Sequence, residues 1–216
     1  MATLSVLADT TAWLALAGGA VGLYYMMRCY RIPARPFWNH LQVQTAFGGS
    51  ALALGALLTG CFMLPGMVVA GADYSLPLTV VAGLMMIGVV IEGLGLIKHA
   101  KDMSAGSHEG AASHYIQTST FGKTYLLRNS LLVLIAGLAL IAATGVFGNV
   151  ISLLTLALAG VGLVVTSLIG RALFYVLVVP TTMLGAFFWR NKGFEEHARD
   201  IGLARMPQVG VVPNLH

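Results

Sequence analysis

From Asn129 to Gly170 the chain carries no charged residue. That stretch is about twice the roughly 20 apolar residues a helix needs to cross a bilayer core. In hydrocarbon every backbone N–H and C=O must be paired within its own segment, so such a run is confined to helices. A turn has to divide it, and TGVFGN (144–149), with two glycines and an asparagine, is the place for one. The same criterion gives five spans in all, at about 4–27, 42–64, 77–97, 126–146 and 150–178. The last two form a tight hairpin.

The expected fold is therefore all-α integral membrane: a bundle of five transmembrane helices over 1–189, followed by a basic C-terminal tail, 190–216. ALFYVLVVPTTMLGAFFW (172–189) is nearly long enough for a short sixth segment. Against a crossing, it contains Pro180 and two threonines, and it would carry four tail Lys/Arg across the membrane. Composition agrees with the membrane class: 57% hydrophobic and only 9% charged, where a soluble domain carries roughly 25% charged residues. No Lys or Arg precedes the first apolar run, so a signal-peptide n-region is missing and that run is expected to stay as a helix.

A net charge of +4 and a pI near 9.3 would suit a nucleic-acid partner in a soluble protein, but here the distribution of charge says more than the total. Arg28, Arg31 and Arg35 lie in the first connection. Lys98, Lys101, Lys123 and Arg128 lie in or beside the third, and Arg190, Lys192, Arg199 and Arg205 in the tail. The N-terminus, the 65–76 connection and the hairpin turn have none, and Asp9 and Asp73 fall on that opposite side. The positive-inside rule then puts the N-terminus outside and the long connections and C-terminus in the cytoplasm. Cys29 and Cys61 are expected at opposite ends of successive spans, about 30 Å of hydrocarbon apart, too far for a disulfide.

An ionised side chain within a membrane costs at least a few kcal/mol, which makes such residues functional candidates. Glu92 lies roughly 9 Å before the charged end of the third span, and Arg171 nears the same face about 20 residues into the fifth. Their depths agree. A Glu92–Arg171 pair would limit the desolvation penalty of each. In the plainer alternative Arg171 snorkels to headgroups and Glu92 is protonated or faces water. Around them on that face fall Arg28, Tyr30, Trp38 and His40, then His99, His108 and His114. Trp and Tyr there read first as interfacial anchors, and loop histidines as solvated. A quinone head group, however, needs donors near its carbonyl oxygens and a residue that exchanges protons with water. His99, seven residues after Glu92, shares its helix face. Glycine spacings such as Gly18 to Gly22 read as close helix packing.

No histidine is expected deep in a span, so a bis-histidine haem has little support. Two lone cysteines cannot hold an iron–sulfur cluster. No metal site is expected, and G-x-x-x-x-G-K-[ST] and H-E-x-x-H are absent.

Three stretches carry a resemblance. LIGRALFY holds Gly170, Arg171, Phe174 and Tyr175 in a G-R-x-x-F-Y pattern. AVGLYYMMRCYRIPARPFW (20–38) ends a span in M-M-x-R-x-Y with a tryptophan following, and YLLRNSLLVLIAG (125–137) opens a helix with an arginine after a long connection. In this order they resemble the membrane-anchor (C) subunit family of anaerobic dimethyl sulfoxide reductase-type molybdoenzymes, in a shortened form lacking the first three helices. The resemblance implies an anchor in the inner membrane of a prokaryote. Its partners would be a four-cluster ferredoxin-like iron–sulfur subunit and a molybdopterin catalytic subunit, with a second membrane chain or a dimer completing the site. It implies menaquinone or ubiquinone bound transiently, with no haem or cluster in this chain. The candidate quinone residues are Arg171, Glu92, His99, Tyr175, Trp38, Arg28 and His40, and the candidate docking residues Arg31, Arg35, Lys98 and Lys101. The rival expectations are a small transporter or channel component with a Glu92–Arg171 polar path, and a purely structural anchor.

Overall fold

The computed structural model describes residues 2–33, 35–104 and 110–177, with side chains from Ser5 onward. Among these described residues six helices follow one another: α1 (Ala2–Tyr30), α2 (Leu41–Val69), α3 (Ser75–Ser104), α4 (Ala111–Thr118), α5 (Gly122–Thr144) and α6 (Asn149–Val176). All but α4 are long and apolar enough to cross a membrane, which bears out the five expected spans. The segment 178–189, the tail 190–216 and His108 lie outside the described residues.

The third span reaches Ser104 rather than ending near 97, so His99 and Asp102 ride on a helix instead of in a loop. The long connection also folds its own short helix, α4, which the apolar runs do not signal. The hairpin turn falls where expected, between Thr144 and Asn149, with Gly145 (φ 63°) and Gly148 (φ 82°) in a backbone region that side chains disfavour. Pro77 sits in the first turn of α3, where its missing N–H would have no helical acceptor. Asp73 accepts the Ser75 N–H at 2.9 Å just ahead of that turn.

Helices α2, α3, α5 and α6 form a closed four-helix bundle in which α2 lies on α3, α3 on α5, α5 on α6 and α6 back on α2. Its main core joins Ala53, Ala82, Met85, Ile135, Ala139, Ala159 and Leu163, and the alanines among them let the helices approach closely. Closest is the crossing of α2 and α3. A Cβ built on Gly49 would lie 2.5 Å from the Gly88 carbonyl oxygen, and one on Gly88 2.5 Å from that of Gly49. The small-residue packing foreseen at Gly18 and Gly22 is thus realised elsewhere, since neither of those has any neighbour within 4 Å of its Cβ position.

The helix that carries Gly18 and Gly22, α1, stands largely apart, its exposed side chains running along most of its length. It joins the bundle at its C-terminal end, where Leu23, Met27 and Tyr30 pack on a second, aromatic core of Phe37, Trp38, Phe47 and Phe174. Cys29 and Cys61 are both free and exposed.

Candidate functional site

The end of the bundle holding the C-termini of α1, α3 and α6 and the N-termini of α2 and α5 also holds Arg28, Arg31, Arg35, Lys98, Lys101, Lys123 and Arg128. Just inside this basic end is a cavity of about 40 Å³ lined by Gln42, Ser50, Glu92, Arg128, Ser167 and Arg171, among others. The Gly49–Gly88 crossing sets the position of Glu92: a Cβ on Gly49 would come within 3.2 Å of the Glu92 Cβ. Gly170 of α6 faces the same two side chains at ordinary contact distance, its Cβ position 3.8 Å from Arg128 Cδ and 4.0 Å from Glu92 Oε1.

Glu92 and Arg171 thus meet at one cavity, as their depths imply, but among the described residues they form no ion pair. Arg171 instead donates from Nη2 to Ser50 Oγ at 3.2 Å and lies over the Phe47 ring, 3.8 Å from its centre. The second cation within electrostatic reach of Glu92 is Arg128, which is 3% exposed. Its Nε and Nη2 donate to Asn129 Oδ1 at 3.2 and 3.0 Å, and its guanidinium sits 5.2 Å from the Tyr125 ring centre. Sequence reasoning took Arg128 for an interfacial charge. A signal was nonetheless present, because Arg128, Leu132, Ile135, Ala139 and Ala142 recur at helical spacing, and all five are buried on one face of α5.

A second, smaller void of about 10 Å³ adjoins the first, lined by Phe37, His99, Gln117, Tyr125 and others. Gln42, Arg128, Gly170 and Phe174 line both. His99 is buried rather than solvated, with Nε2 donating to the Phe37 carbonyl at 3.4 Å and its ring edge-on to Phe37 and His40. His114 on α4 lies 6.4 Å from it, ring centre to ring centre. His114 sits outside the membrane-spanning helices, and burial holds its pKa below the usual 6.5, the neighbouring Gln117 side chain partly opposing that shift.

His40 has a structural task. It is the N-cap of α2, its Nδ1 accepting the Gln42 N–H at 3.1 Å. That leaves the proton on Nε2, which donates to Asp102 Oδ2 at 2.9 Å. Lys98 Nζ reaches the same oxygen at 2.9 Å. Asp102, absent from the sequence candidates, therefore ties α3 to the start of α2.

The aromatic candidates form one cluster. Trp38 stacks on Phe174 at 4.9 Å and 7°, donates Nε1–H to the Phe174 carbonyl at 2.8 Å, and receives the Arg35 guanidinium over its ring at 4.6 Å. So engaged, it bounds the site rather than offering a face to a ligand. Tyr30 stacks on Phe47 and shares a 2.7 Å hydroxyl–hydroxyl bond with Tyr175, which is half exposed. Arg28 is exposed and apart from the cavity. Of the docking candidates Lys98 and Lys101 are exposed, whereas Arg31 and Arg35 are half-buried.

Compared with protein-family models, with curated proteins and with solved structures, the chain matches none of them.

Proposed function

We propose that this multi-pass membrane protein is the membrane-anchor subunit of a molybdopterin/iron–sulfur oxidoreductase and contributes to a quinone/quinol site at the basic end of its bundle. The observation that carries the reading is the gathering of Arg171, Glu92 and Arg128 around one buried cavity, directly beside the Tyr30–Phe47–Phe174–Tyr175 aromatic cluster. Three ionisable groups held inside a membrane bundle are costly and mark function by default. The order of the G-R-x-x-F-Y, M-M-x-R-x-Y and arginine-opened stretches supports assigning that function to quinone chemistry.

The cavity of about 40 Å³ admits water molecules and not a six-membered ring. The head group is therefore assigned to the lipid-facing edge of the cluster, beside the paired hydroxyls of Tyr30 and Tyr175, with a second membrane chain or a second copy closing it from outside. Arg171 would donate toward a carbonyl oxygen, and Glu92 would exchange the protons that accompany quinone reduction or quinol oxidation. The exposed Lys98 and Lys101, with Arg31 and Arg35, would meet the soluble iron–sulfur subunit, whose nearest cluster would pass the electrons. By the positive-inside rule that face would be cytoplasmic, and the resemblance implies the inner membrane of a prokaryote.

The test is purification in mild detergent, which should bring down a molybdopterin protein and a cysteine-rich ferredoxin-like one. In that complex Arg171→Leu should lower quinone-dependent turnover by about 100-fold, the scale of losing one aimed donor, and leave artificial-dye turnover intact. Recovery of the chain as a lone oligomer, or equal loss of both activities, overturns the reading.

A further inference from the structure

We propose that the two adjoining voids hold a short file of water molecules that carries protons between the aqueous basic end of the bundle and the Glu92 carboxyl. The inference rests on the quinone reading only for what the protons serve. The path itself stands on geometry.

Continuity comes first. The voids share Gln42, Arg128, Gly170 and Phe174, so a single layer of side chains is all that stands between them. A water needs roughly 10–15 Å³ of such space. The outer void, about 10 Å³, then takes one molecule, and the inner, about 40 Å³, takes a few. The outer void is lined by Gln117 of α4 and the half-buried Tyr125 in the first turn of α5, both at the basic end of the bundle. The inner void ends on Glu92, about 13 Å from Lys101 at a rise of roughly 1.5 Å per residue.

The lining asks for water. Gln42 Oε1 and Gln117 Oε1 belong to side chains more than nine-tenths buried, and neither oxygen finds a hydrogen-bond partner among the described residues. Ser167 Oγ in the inner void, on a half-buried residue, likewise has no partner among the described residues. A buried acceptor left unpaired costs about 1–3 kcal/mol, and buried waters bonding to such groups are part of the structure. The three atoms fall along the route, Gln117 at the outer end, Gln42 at the junction and Ser167 within.

The charges define what passes. Arg128 at the junction and Arg171 beyond it repel a metal cation, and the Arg128 charge also disfavours a hydronium standing next to it. Transfer past Arg128 therefore runs as a proton hole. The Glu92 carboxylate takes a proton from the adjacent water, each water along the file is reprotonated by the next, and bulk water supplies the last proton. Only O–H bonds form and break. His40 takes no part, since its Nδ1 is occupied as the α2 cap and its Nε2–H by Asp102.

The experiment uses the full chain alone in lipid nanodiscs, without quinone or partners, so its failure leaves the quinone assignment standing and the converse holds too. Infrared spectra identify the Glu92 band as the one missing from Glu92→Gln. In the wild type that band should follow a jump in bulk pH between about 4 and 10, and an exchange into D2O, within the mixing time. Gln42→Leu, which fills the junction with an apolar group of similar size, should slow the response by an order of magnitude or more. Gln117→Leu at the outer end serves where the first variant fails to fold. A wild-type band that ignores bulk pH for hours overturns the proposal, as does a wild-type rate in the folded variants.

Discussion

Arg171 lies over Phe47, its guanidinium 3.8 Å from the ring centre. Both residues are held by their helices, and the third member, Ser50, receives the guanidinium proton one turn along α2 from Phe47. A guanidinium can share its charge with an aromatic face and a hydroxyl at once because it is planar and weakly hydrated, which an ammonium is not. The tolerance of this charge in an apolar bundle is thus explained without a carboxylate partner.

The first prediction concerns that contact. Cation–π pairs of this kind are worth about 0.5–2 kcal/mol. Phe47→Leu and Arg171→Leu should each lower thermal stability in detergent, and a double-mutant cycle should return a coupling free energy in that range. Arg171→Lys should recover little of it. Additive losses would mean that the guanidinium gains nothing from the ring.

A second prediction separates cap from proton carrier at His40. Asparagine can accept the Gln42 N–H as His40 Nδ1 does, so His40→Asn should fold with near wild-type stability. His40→Ala should cost about 1 kcal/mol through the lost α2 cap, read as a drop in melting temperature. In the assembled complex His40→Asn should keep its quinone-dependent turnover, and a collapse of that turnover would show that the imidazole itself is used.

The helix crossing gives a third. On α3, a Cβ at Gly88 would meet the Gly49 oxygen at 2.5 Å and the Ala53 nitrogen at 2.7 Å, both backbone atoms that cannot step aside, whereas Gly93 has nothing within 4 Å. Gly88→Ala should therefore destabilise the bundle by about 1–3 kcal/mol through overpacking. Gly93→Ala should be neutral or stabilising by up to about 1 kcal/mol through helix propensity. Thermal unfolding of the two variants side by side is the measurement.

What was legible follows from which forces act locally. Span number and the hairpin turn depend on apolar run length and on Gly145 and Gly148, so they can be read residue by residue. The shared depth of Glu92 and Arg171 follows from helical rise alone. Their actual partners do not, because Ser50 and Phe47 reach Arg171 only through the packing of α2 against α6, 121 residues apart in the case of Ser50. Arg128 and His99 look like end-of-helix residues by position. Arg128 is buried on the inward stripe of α5, whereas His99 is covered by Phe37, His40 and His114 of α4, and nothing in the run of apolar residues announces an eight-residue helix inside a polar connection.

Orientation yields a fourth prediction. Ala72, in the short α2–α3 connection, and Asn39, in the first connection, are both exposed and lie at opposite ends of α2. With Cys29 and Cys61 changed to serine, Ala72→Cys should react with a membrane-impermeant maleimide added to intact cells. Asn39→Cys should react only after permeabilisation. The opposite pattern would invert the proposed topology and place the soluble partners outside the cytoplasm.

The fifth prediction is a pH dependence. His114 packs between His99 of α3 and Tyr125 of α5, and burial keeps its pKa below 6.5. Its Nδ1 is buried without a partner among the described residues, so docking of α4 favours the neutral ring. Between the docked pKa and 6.5 the undocked state binds more protons than the docked one, and the stability of docking therefore rises with pH across that window. It is fully present above about 6.5 and is lost as the pH falls toward the docked value. Amide hydrogen exchange over Ala111–Thr118, corrected for its intrinsic pH dependence, should be less protected at about pH 5.5 than at about pH 7.5. His114→Gln, which carries no titrating proton, should show equal protection at the two values. Persistence of the difference in that variant would assign the titration to His99 or another neighbour rather than to His114.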